Sequence, residues 1–355
     1  MKFFFITTYM LCSFLLTATA NTDSSFFSAD HPYIKMTGRI DYANPKKPTF
    51  WSSGVYITIR FNGSYCVLHI NDEQRWGKIQ NYIEVKIDDQ PSFRMQTNGE
   101  ENSMILASGL TKGNHTIIVC KNTEAENGYL QLIGITCTNL LKPVKQPERK
   151  IEFIGNSITS GMGVDDSQIP CKTNNWYDQH SAYKAYGPLT ARQLKAQWQL
   201  SSVSGIGLIH SCCNKTIVMP QVFDKINMAG DSIAWNFKNY QPDLVTICLG
   251  QNDGIQDSVS FCNAYIGFVN KLRGYYPNAN ILLLNSPMDG AKLDTVLKKY
   301  ILAVCRQLTS LGDDKIDSFF FSKNFNAGCG SHPDAEEHEQ ISAELTGFIK
   351  KRMNW

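Results

Sequence analysis

The 355-residue sequence has almost no imbalance of charge: Lys plus Arg total 34 and Asp plus Glu total 32, a formal net charge of +2. No overall field therefore draws the protein to nucleic acid or to an anionic membrane surface. The sequence also lacks an unbroken run of about twenty apolar residues, the length that a membrane-spanning helix needs. Internal repeats and low-complexity segments are absent as well. The length is typical of a globular chain with two domains. We expect neither a nucleic-acid partner nor a membrane span.

Signatures of metal and phosphate sites are missing too. The eleven cysteines contain no Cys-x-x-Cys pair, and the adjacent Cys212 and Cys213 suit tetrahedral zinc poorly. Residues 151–163, IEFIGNSITSGMG, are rich in glycine, but no Lys-Ser or Lys-Thr follows the last glycine. Their spacing fits neither common phosphate-binding motif. We therefore expect no metal and no other cofactor.

The first residues, MKFFFITTYMLCSFLLTATA, have the order of a secretory signal peptide. Lys2 precedes a short apolar stretch with polar breaks, and residues 18–20, Ala-Thr-Ala, fit a small-x-small cleavage site. We predict that residues 1–20 are removed and that the protein is secreted or periplasmic; a membrane anchor is the alternative interpretation. The cysteines that remain would meet an oxidising compartment, where disulfides form. Their pairing stays open, although Cys248 has the apolar neighbours of a buried thiol.

From about residue 30 to residue 140, apolar residues recur with a period of two. Residues 55–61, VYITIRF, alternate in this way, and the Asn62-Gly63 that follows is typical of a hairpin turn. Similar segments recur at short intervals, namely CVLHIND, NYIEVKIDD, HTIIVCK and YLQLIGITC. The pattern predicts an all-β sandwich over residues 30–140. The proline-bearing, basic residues 141–150, LKPVKQPERK, predict a linker.

Over residues 151–355 the pattern changes to apolar strands that alternate with longer helical segments. The predicted strands are KIEFIG, WQLSSVSG, DLVTICLG and NILLLNSPM, and the predicted helices include YGPLTARQLKAQW, SFCNAYIGFVNKLRGYY and KLDTVLKKYILAVCRQL. A last helix is expected from Pro333, with one apolar face formed by Ile341, Leu345, Phe348 and Ile349. Such alternation predicts an α/β domain with a parallel sheet.

Four polar or glycine positions follow predicted strands or precede the last helix: Ser157, Gly205, Asn252 and His332. Each has an ordinary structural interpretation. The serine suits a helix N-cap, the glycine a turn, Asn-Asp-Gly a turn, and His-Pro the start of a helix. However, the carboxyl ends of parallel strands meet at one edge of a sheet, where α/β proteins carry their sites.

Together, the four positions make a chemical set. Ser157 supplies a nucleophile and His332 a general base. The N–H groups of Ser157 and Gly205 and the amide of Asn252 supply donors for an oxyanion, with Gly207 as the competing glycine. This set is the one that a serine hydrolase needs.

The blocks that hold these residues, IGNSIT, SVSGIG, LGQND and SHPDAEEH, resemble those of the SGNH, or GDSL-type, hydrolases. The sequence is most similar to carbohydrate esterase family 2, because GRIDY, FWSSGVYITIRFNGS and LTKGNHTIIVCKNTEAENG resemble the β-sandwich of that family. The resemblance implies a jelly-roll sandwich before a three-layer α/β hydrolase domain. It also implies metal-free removal of O-acetyl groups, often 6-O-acetyl, from plant polysaccharides or oligosaccharides such as xylan and glucomannan.

The sequence departs from the SGNH pattern before the histidine. Relatives often carry an Asp two or three residues ahead of it, where this chain has Gly330 and Cys329. An acid in that place holds the imidazole in its working tautomer. We expect either a main-chain carbonyl near residues 328–330, which gives a Ser-His dyad, or a distant acid. Asp334 is expected in the first turn of the last helix, pointing away. Asn156 replaces the usual Asp before the serine, and we expect this change to be tolerated.

The missing acid also motivates an alternative, a non-catalytic carbohydrate-binding protein with a decayed hydrolase domain. A further alternative is an esterase for peptidoglycan or host glycans, or a lipase. Trp176, in the polar segment CKTNNWYDQH, is the candidate for stacking on a sugar ring.

Overall fold

The computed structural model describes residues 24–173, 175–230, 233–288 and 290–355; the predicted signal peptide, residues 1–20, lies outside them. The strands are β1 Ser25–Ser28, β2 Lys35–Thr37, β3 Thr49–Phe50, β4 Tyr56–Asp72, β5 Tyr82–Ile87, β6 Phe93–Gln96, β7 Glu101–Ala107, β8 Asn114–Lys121, β9 Leu130–Leu140, β10 Arg149–Gly155, β11 Ala196–Ser202, β12 Leu244–Cys248, β13 Asn280–Leu284 and β14 Ile316–Phe319. The α-helices are α1 Ser157–Ser160, α2 Tyr186–Gln193, α3 Met219–Val222, α4 Ser258–Tyr275, α5 Ala291–Ser310 and α6 Ala335–Met353.

Strands β1–β9 form the β domain, in which every pairing is antiparallel. The longest path runs β1-β9-β4-β8-β5-β6, and β2, β3 and β7 pair beside it. The period of two places Ile57, Ile59 and Phe61 in the core, each at most 1% exposed. Burial of these alternate side chains is the main stabilising contribution to such a domain.

The hairpin predicted at Asn62-Gly63 is wrong, because β4 continues through it to Asp72. Its first part pairs with β8 up to Asn62, and its second part pairs with β7 and β9 from Cys66 onward. The pairing with β9 shifts register between these two residues, which marks a bulge. A Cβ on Gly63 would lie 2.6 Å from the Thr138 hydroxyl oxygen, so the glycine permits a close approach between strands.

Strands β10–β14 form the parallel sheet of the α/β domain, in the order β11-β10-β12-β13-β14. The prediction of an all-β domain followed by an α/β domain is therefore confirmed. Strand β14 was not predicted, since IDSF is short and only its first residue is buried. The last helix begins at Ala335, with Asp334 as its N-cap, and not at Pro333. Its apolar face packs as predicted, with Ile341, Leu345 and Ile349 buried and Phe348 partly buried.

Buried polar contacts join the two domains. Arg39 of the β domain is fully buried, and its guanidinium lies 3.2 Å from the Glu152 carboxylate on β10. The same guanidinium donates to the Ser201 hydroxyl at 3.1 Å and to two main-chain carbonyls, one of them that of Lys225 at 2.7 Å. A second contact starts from the α/β domain, where the Trp198 indole on β11 donates to the Gly54 carbonyl of the β domain at 2.9 Å. Strand β10, which leads to Ser157, is therefore stabilised by a contact with the β domain.

Within the described ranges, no helix combines the length and the apolar character needed to cross a membrane.

Candidate active site

Ser157 lies just beyond the carboxyl end of strand β10, which pairs with β11 on one side and β12 on the other. Asn156 is the N-cap of helix α1, and its side-chain oxygen accepts the Ile158 N–H at 3.2 Å. The residue at the cap is thus the asparagine, and Ser157 is the first helical residue. Because Asn156 performs the capping, the Ser157 hydroxyl is available for another partner.

That partner is His332. Its Nε2 lies 2.8 Å from the Ser157 hydroxyl oxygen, across 175 residues of sequence. Its Nδ1 lies 3.0 Å from the Gly330 carbonyl oxygen. A carbonyl only accepts, so Nδ1 carries the proton and Nε2 is the acceptor for the serine O–H. Burial lowers the pKa of His332, and the hydrogen bonds to the Gly330 and Cys329 main chain oppose that shift. Burial therefore favours the neutral ring, whose Nε2 can accept a proton.

The loop that holds His332 places a main-chain carbonyl beside the imidazole ring. Gly330 and Ser331 adopt left-handed φ angles of 65° and 59°, which turn the Gly330 carbonyl back toward the ring. Cys329 is joined to Cys171 by a disulfide, and its N–H donates to the Gly163 carbonyl at 3.1 Å. The Asp334 carboxylate instead accepts from the Glu337 N–H, 2.8 Å away, at the start of α6. The ring is thus oriented by a main-chain carbonyl.

Gly205 and Gly207 differ in whether their N–H groups are occupied. Gly207 donates to the Ser211 hydroxyl at 3.0 Å. Over the described ranges, the Gly205 N–H has no hydrogen-bond partner, and Gly205 lines the same cavity as Ser157. The φ of Gly205 is 77°, a conformation that suits glycine. These contacts favour Gly205 over Gly207 as an oxyanion donor.

Asn252 follows strand β12 and also lines the cavity. Its amide nitrogen donates one hydrogen bond to the Ile206 carbonyl at 2.8 Å, which leaves a second N–H for the cavity. The next residue, Asp253, accepts from the N–H groups of Leu208, at 2.9 Å, and Ile209, at 2.7 Å. Sequence reasoning assigned no role to this aspartate, which folds the loop after Gly205 onto Asn252.

The cavity that contains these residues has a volume of about 340 Å³, within the range of small-molecule sites. Trp176 lies in its wall, 45% exposed, with its ring edge-on to His180 at 4.8 Å. The remaining lining residues were not foreseen: Glu126, Met162, Ser204, Cys212, Cys213, Lys215, Gln251 and Met288. Glu126 comes from the β domain, so both domains build the cavity.

Two disulfides adjoin the site, Cys171–Cys329 beside the histidine loop and Cys212–Cys213 in the cavity wall. Cys248 is buried, as its apolar neighbours predicted, and its thiol donates to the Asn285 carbonyl at 3.5 Å. Among the described residues, one group of three possible metal ligands comes together, formed by Asp166 and the Cys171–Cys329 pair. Both of its sulfurs are in the disulfide and are therefore not ligands.

Both the β domain and the α/β domain match known protein families. Residues 36–147 match the family described as Carbohydrate esterase 2 N-terminal, and residues 153–320 match the GDSL-like Lipase/Acylhydrolase family. The chain is 29% identical over 370 residues to an acetylxylan esterase / glucomannan deacetylase of Cellvibrio japonicus, with 100% of both chains covered. It is 30% identical to the cellulase/esterase CelE of Acetivibrio thermocellus over 94% of this chain, and it spans 41% of that protein's length.

A solved structure agrees with these matches. It is the structure of a family two carbohydrate esterase from Clostridium thermocellum in complex with cellohexaose, with a TM-score of 0.82 and 28% identity over 91% of this chain and 99% of that one. The fold and the matched families define a carboxylic ester hydrolase of the SGNH, or GDSL-like, superfamily. Within that superfamily, the chain belongs to carbohydrate esterase family 2.

Proposed function

We propose that this protein removes O-acetyl groups from plant polysaccharides or oligosaccharides, with xylan and glucomannan as the polymers and the sugar 6-position as one site of attack. The observation that carries the proposal is the 2.8 Å contact between the Ser157 hydroxyl and His332 Nε2 in a cavity that Gly205 and Asn252 also line. The names of the relatives support the substrate class, since one is an acetylxylan esterase / glucomannan deacetylase and another is bound to cellohexaose.

The reaction follows from the proton positions. His332 Nε2 takes the serine proton as the Ser157 oxygen bonds to the acetyl carbonyl carbon. The electron pair of the carbonyl moves to its oxygen, which the N–H groups of Ser157 and Gly205 and the Asn252 amide stabilise. Collapse expels the sugar oxygen, which receives the proton from His332. Water then bonds to the acetyl carbon as His332 Nε2 takes its proton; collapse breaks the bond to the Ser157 oxygen, which receives that proton, and acetate leaves.

His332 acts here as one half of a dyad. The Gly330 carbonyl fixes the ring tautomer at 3.0 Å, which is the task an acid performs in a triad. A carbonyl carries no full charge, so it stabilises the imidazolium less than a carboxylate would. This contact weighs against a decayed, purely carbohydrate-binding protein, because it offers the histidine an orienting partner in place of the missing Asp.

The rate is expected to fall only at acid pH. His332 must be neutral to accept the serine proton, and burial lowers its pKa below the usual 6.5. The acid limb of kcat/KM should therefore have its midpoint below pH 6.5, and activity should persist through neutral pH. A rate profile with a chromogenic acetyl ester measures this directly; a midpoint above 6.5 would contradict the assignment of the base.

Gly330→Asp is expected to move that midpoint to higher pH. A Cβ at this position would lie 3.6 Å from His332 Nδ1, so the new carboxylate falls beside the ring and favours its charged form. The plateau rate should stay the same or rise. Because the φ of 65° strains any L-residue, Gly330→Asn is the matched control with the same strain and no charge. A severe loss in the Asp variant alone would show that the loop geometry differs.

Export is part of the proposal. The predicted leader at residues 1–20 supports it, and so do the two disulfides, because disulfides persist in oxidising compartments.

The substrate is tested by acetate release from acetylated xylan, glucomannan and peptidoglycan, with the position of cleavage read by NMR. We expect release from the two plant polymers and little from peptidoglycan. Release confined to peptidoglycan would replace the substrate class. A folded protein that releases no acetate from these polymers or from a chromogenic ester would favour the carbohydrate-binding alternative.

A further inference from the structure

The β domain contributes a buried carboxylate to the loop that carries Gly205. Glu124 lies between strands β8 and β9 and is 2% exposed. Its Oε2 accepts the Ser204 N–H at 2.9 Å, and its Oε1 accepts a short hydrogen bond from the Ser204 hydroxyl. The Glu124 carboxylate therefore accepts hydrogen bonds from both the main-chain N–H and the hydroxyl of Ser204, the residue directly before Gly205.

The peptide bond explains why this contact matters for Gly205. The Gly205 N–H belongs to the planar peptide unit that begins at the Ser204 carbonyl. Fixing the main chain and side chain of Ser204 therefore fixes the direction of that N–H. On its other side, the Gly205 carbonyl accepts the Cys212 N–H at 2.9 Å. Hydrogen bonds therefore fix the main chain on both sides of Gly205, and the one before it, from Ser204 to Glu124, comes from the other domain.

Glu124 is itself held in place. The fully buried Lys121 ammonium donates to the main-chain carbonyls of Thr123, at 2.8 Å, and Glu124, at 2.9 Å. His180 lies on the other side, with its Nδ1 3.6 Å from the Glu124 carboxylate. Two residues further along, Glu126 forms an ion pair with Lys215, whose side chain packs beside Gly205. Residues 121–126 thus make two contacts near Gly205: Glu124 contacts Ser204, and Glu126 contacts Lys215.

We propose that Glu124 is a positioning residue for the reaction: through Ser204 it aims the Gly205 N–H at the developing oxyanion. The proposal rests on the proposed function, because it needs Gly205 as an oxyanion donor. Its chemical consequence is specific. Loss of the carboxylate should affect the transition state, in which the oxygen becomes charged, more than the binding of the neutral ester.

The test compares Glu124→Gln with Glu84→Gln in the full-length chain. Glutamine keeps the shape of the side chain but replaces one of the two oxygens that accept from Ser204 by an NH₂ group, which only donates. Glu84 is a matched control, because it is a β-domain glutamate, 1% exposed, that accepts from Ser92 at 2.5 Å and Asn122 at 3.0 Å. It does not line the cavity. With 4-nitrophenyl acetate, Glu124→Gln should lower kcat about 10- to 100-fold, since small misplacements of catalytic groups cost that much. KM should change less than threefold or so, and Glu84→Gln should retain most of the turnover.

A second substrate separates positioning from a general structural effect. In 4-nitrophenyl thionoacetate, sulfur replaces the carbonyl oxygen and accepts only weak hydrogen bonds, so oxyanion donors contribute little. The deficit of Glu124→Gln relative to the wild type should shrink to about threefold or less on this ester. An equal deficit on both esters, or kcat as high as that of Glu84→Gln, would overturn the proposal.

Ser204→Ala covers the case in which Glu124→Gln does not fold. It removes only the hydroxyl donor, and it should lower kcat in the same direction and show the same difference between the two esters. In the double variant the losses should not add, because both changes act on one contact. Additive losses would overturn the proposal while leaving the function intact. A wild-type protein that releases no 4-nitrophenol would instead overturn the proposed function, and this inference with it.

Discussion

Replacing Ser157 by alanine is expected to lower the turnover of acetyl esters by about 10⁶-fold, the loss that follows removal of the nucleophile from a serine protease. The hydroxyl lies 2.8 Å from His332 Nε2, and alanine leaves no atom that can attack the acetyl carbon. The fold should persist, since the capping contact of helix α1 comes from the Asn156 side chain. Acetate release and thermal unfolding, measured on the same preparation, check both statements.

Ser160→Ala is the matched control for this change. Ser160 lies in the same helix, fully buried, and donates to the Ser202 hydroxyl at 2.9 Å, outside the cavity. This variant should lose some stability and keep most of its turnover. If Ser157→Ala retained activity comparable to that of Ser160→Ala, the nucleophile would have to be another residue.

Asn252→Ala is expected to lower kcat by about 10²- to 10³-fold, the usual effect of losing one oxyanion donor. The variant removes the N–H that faces the cavity and also the bond to the Ile206 carbonyl at 2.8 Å. The loss should appear in kcat and in kcat/KM alike, because the donor acts where charge develops. Steady-state kinetics on the chromogenic ester measures it.

Asn252→Asp sharpens this test. The carboxylate has nearly the same shape but donates no hydrogen bond, and its charge repels an oxyanion. Its kcat should fall at least as far as that of the alanine variant. An effect confined to KM in either variant would mean that Asn252 binds the ground state only.

The two-domain fold could be predicted from sequence because each domain has its own hydrophobic period. Alternation of period two marked the β domain, and apolar strands with amphipathic helices marked the α/β domain. The prediction failed at Gly63, where a glycine after asparagine can mean a turn or a close approach between strands. Only the Thr138 side chain beside it decides between these, and that contact depends on a distant strand.

The candidate site shows the same division between local and distant information. Ser157, Gly205, Asn252 and His332 stand in recognisable blocks, and the structure brings them to one cavity. Glu124 lies within residues 110–128, which resemble the β-sandwich of the family, but nothing in that segment singles it out, because its role depends on a contact with Ser204 across the domain boundary. The pairing of Cys171 with Cys329 was equally hidden, since ten cysteines after the leader allow many pairings.

The buried Arg39–Glu152 pair has a consequence for the shape of the cavity that the two domains build. Opening the angle between the domains would break this ion pair, together with the hydrogen bonds that the Arg39 guanidinium donates to the Ser201 hydroxyl and to the Lys225 carbonyl. We therefore expect the two domains to keep their relative orientation, so that Glu126 of the β domain stays in the wall of the cavity. For the polysaccharides proposed as substrates, we expect selection by shape: a side branch that does not fit the space between the two domains would keep its acetyl groups.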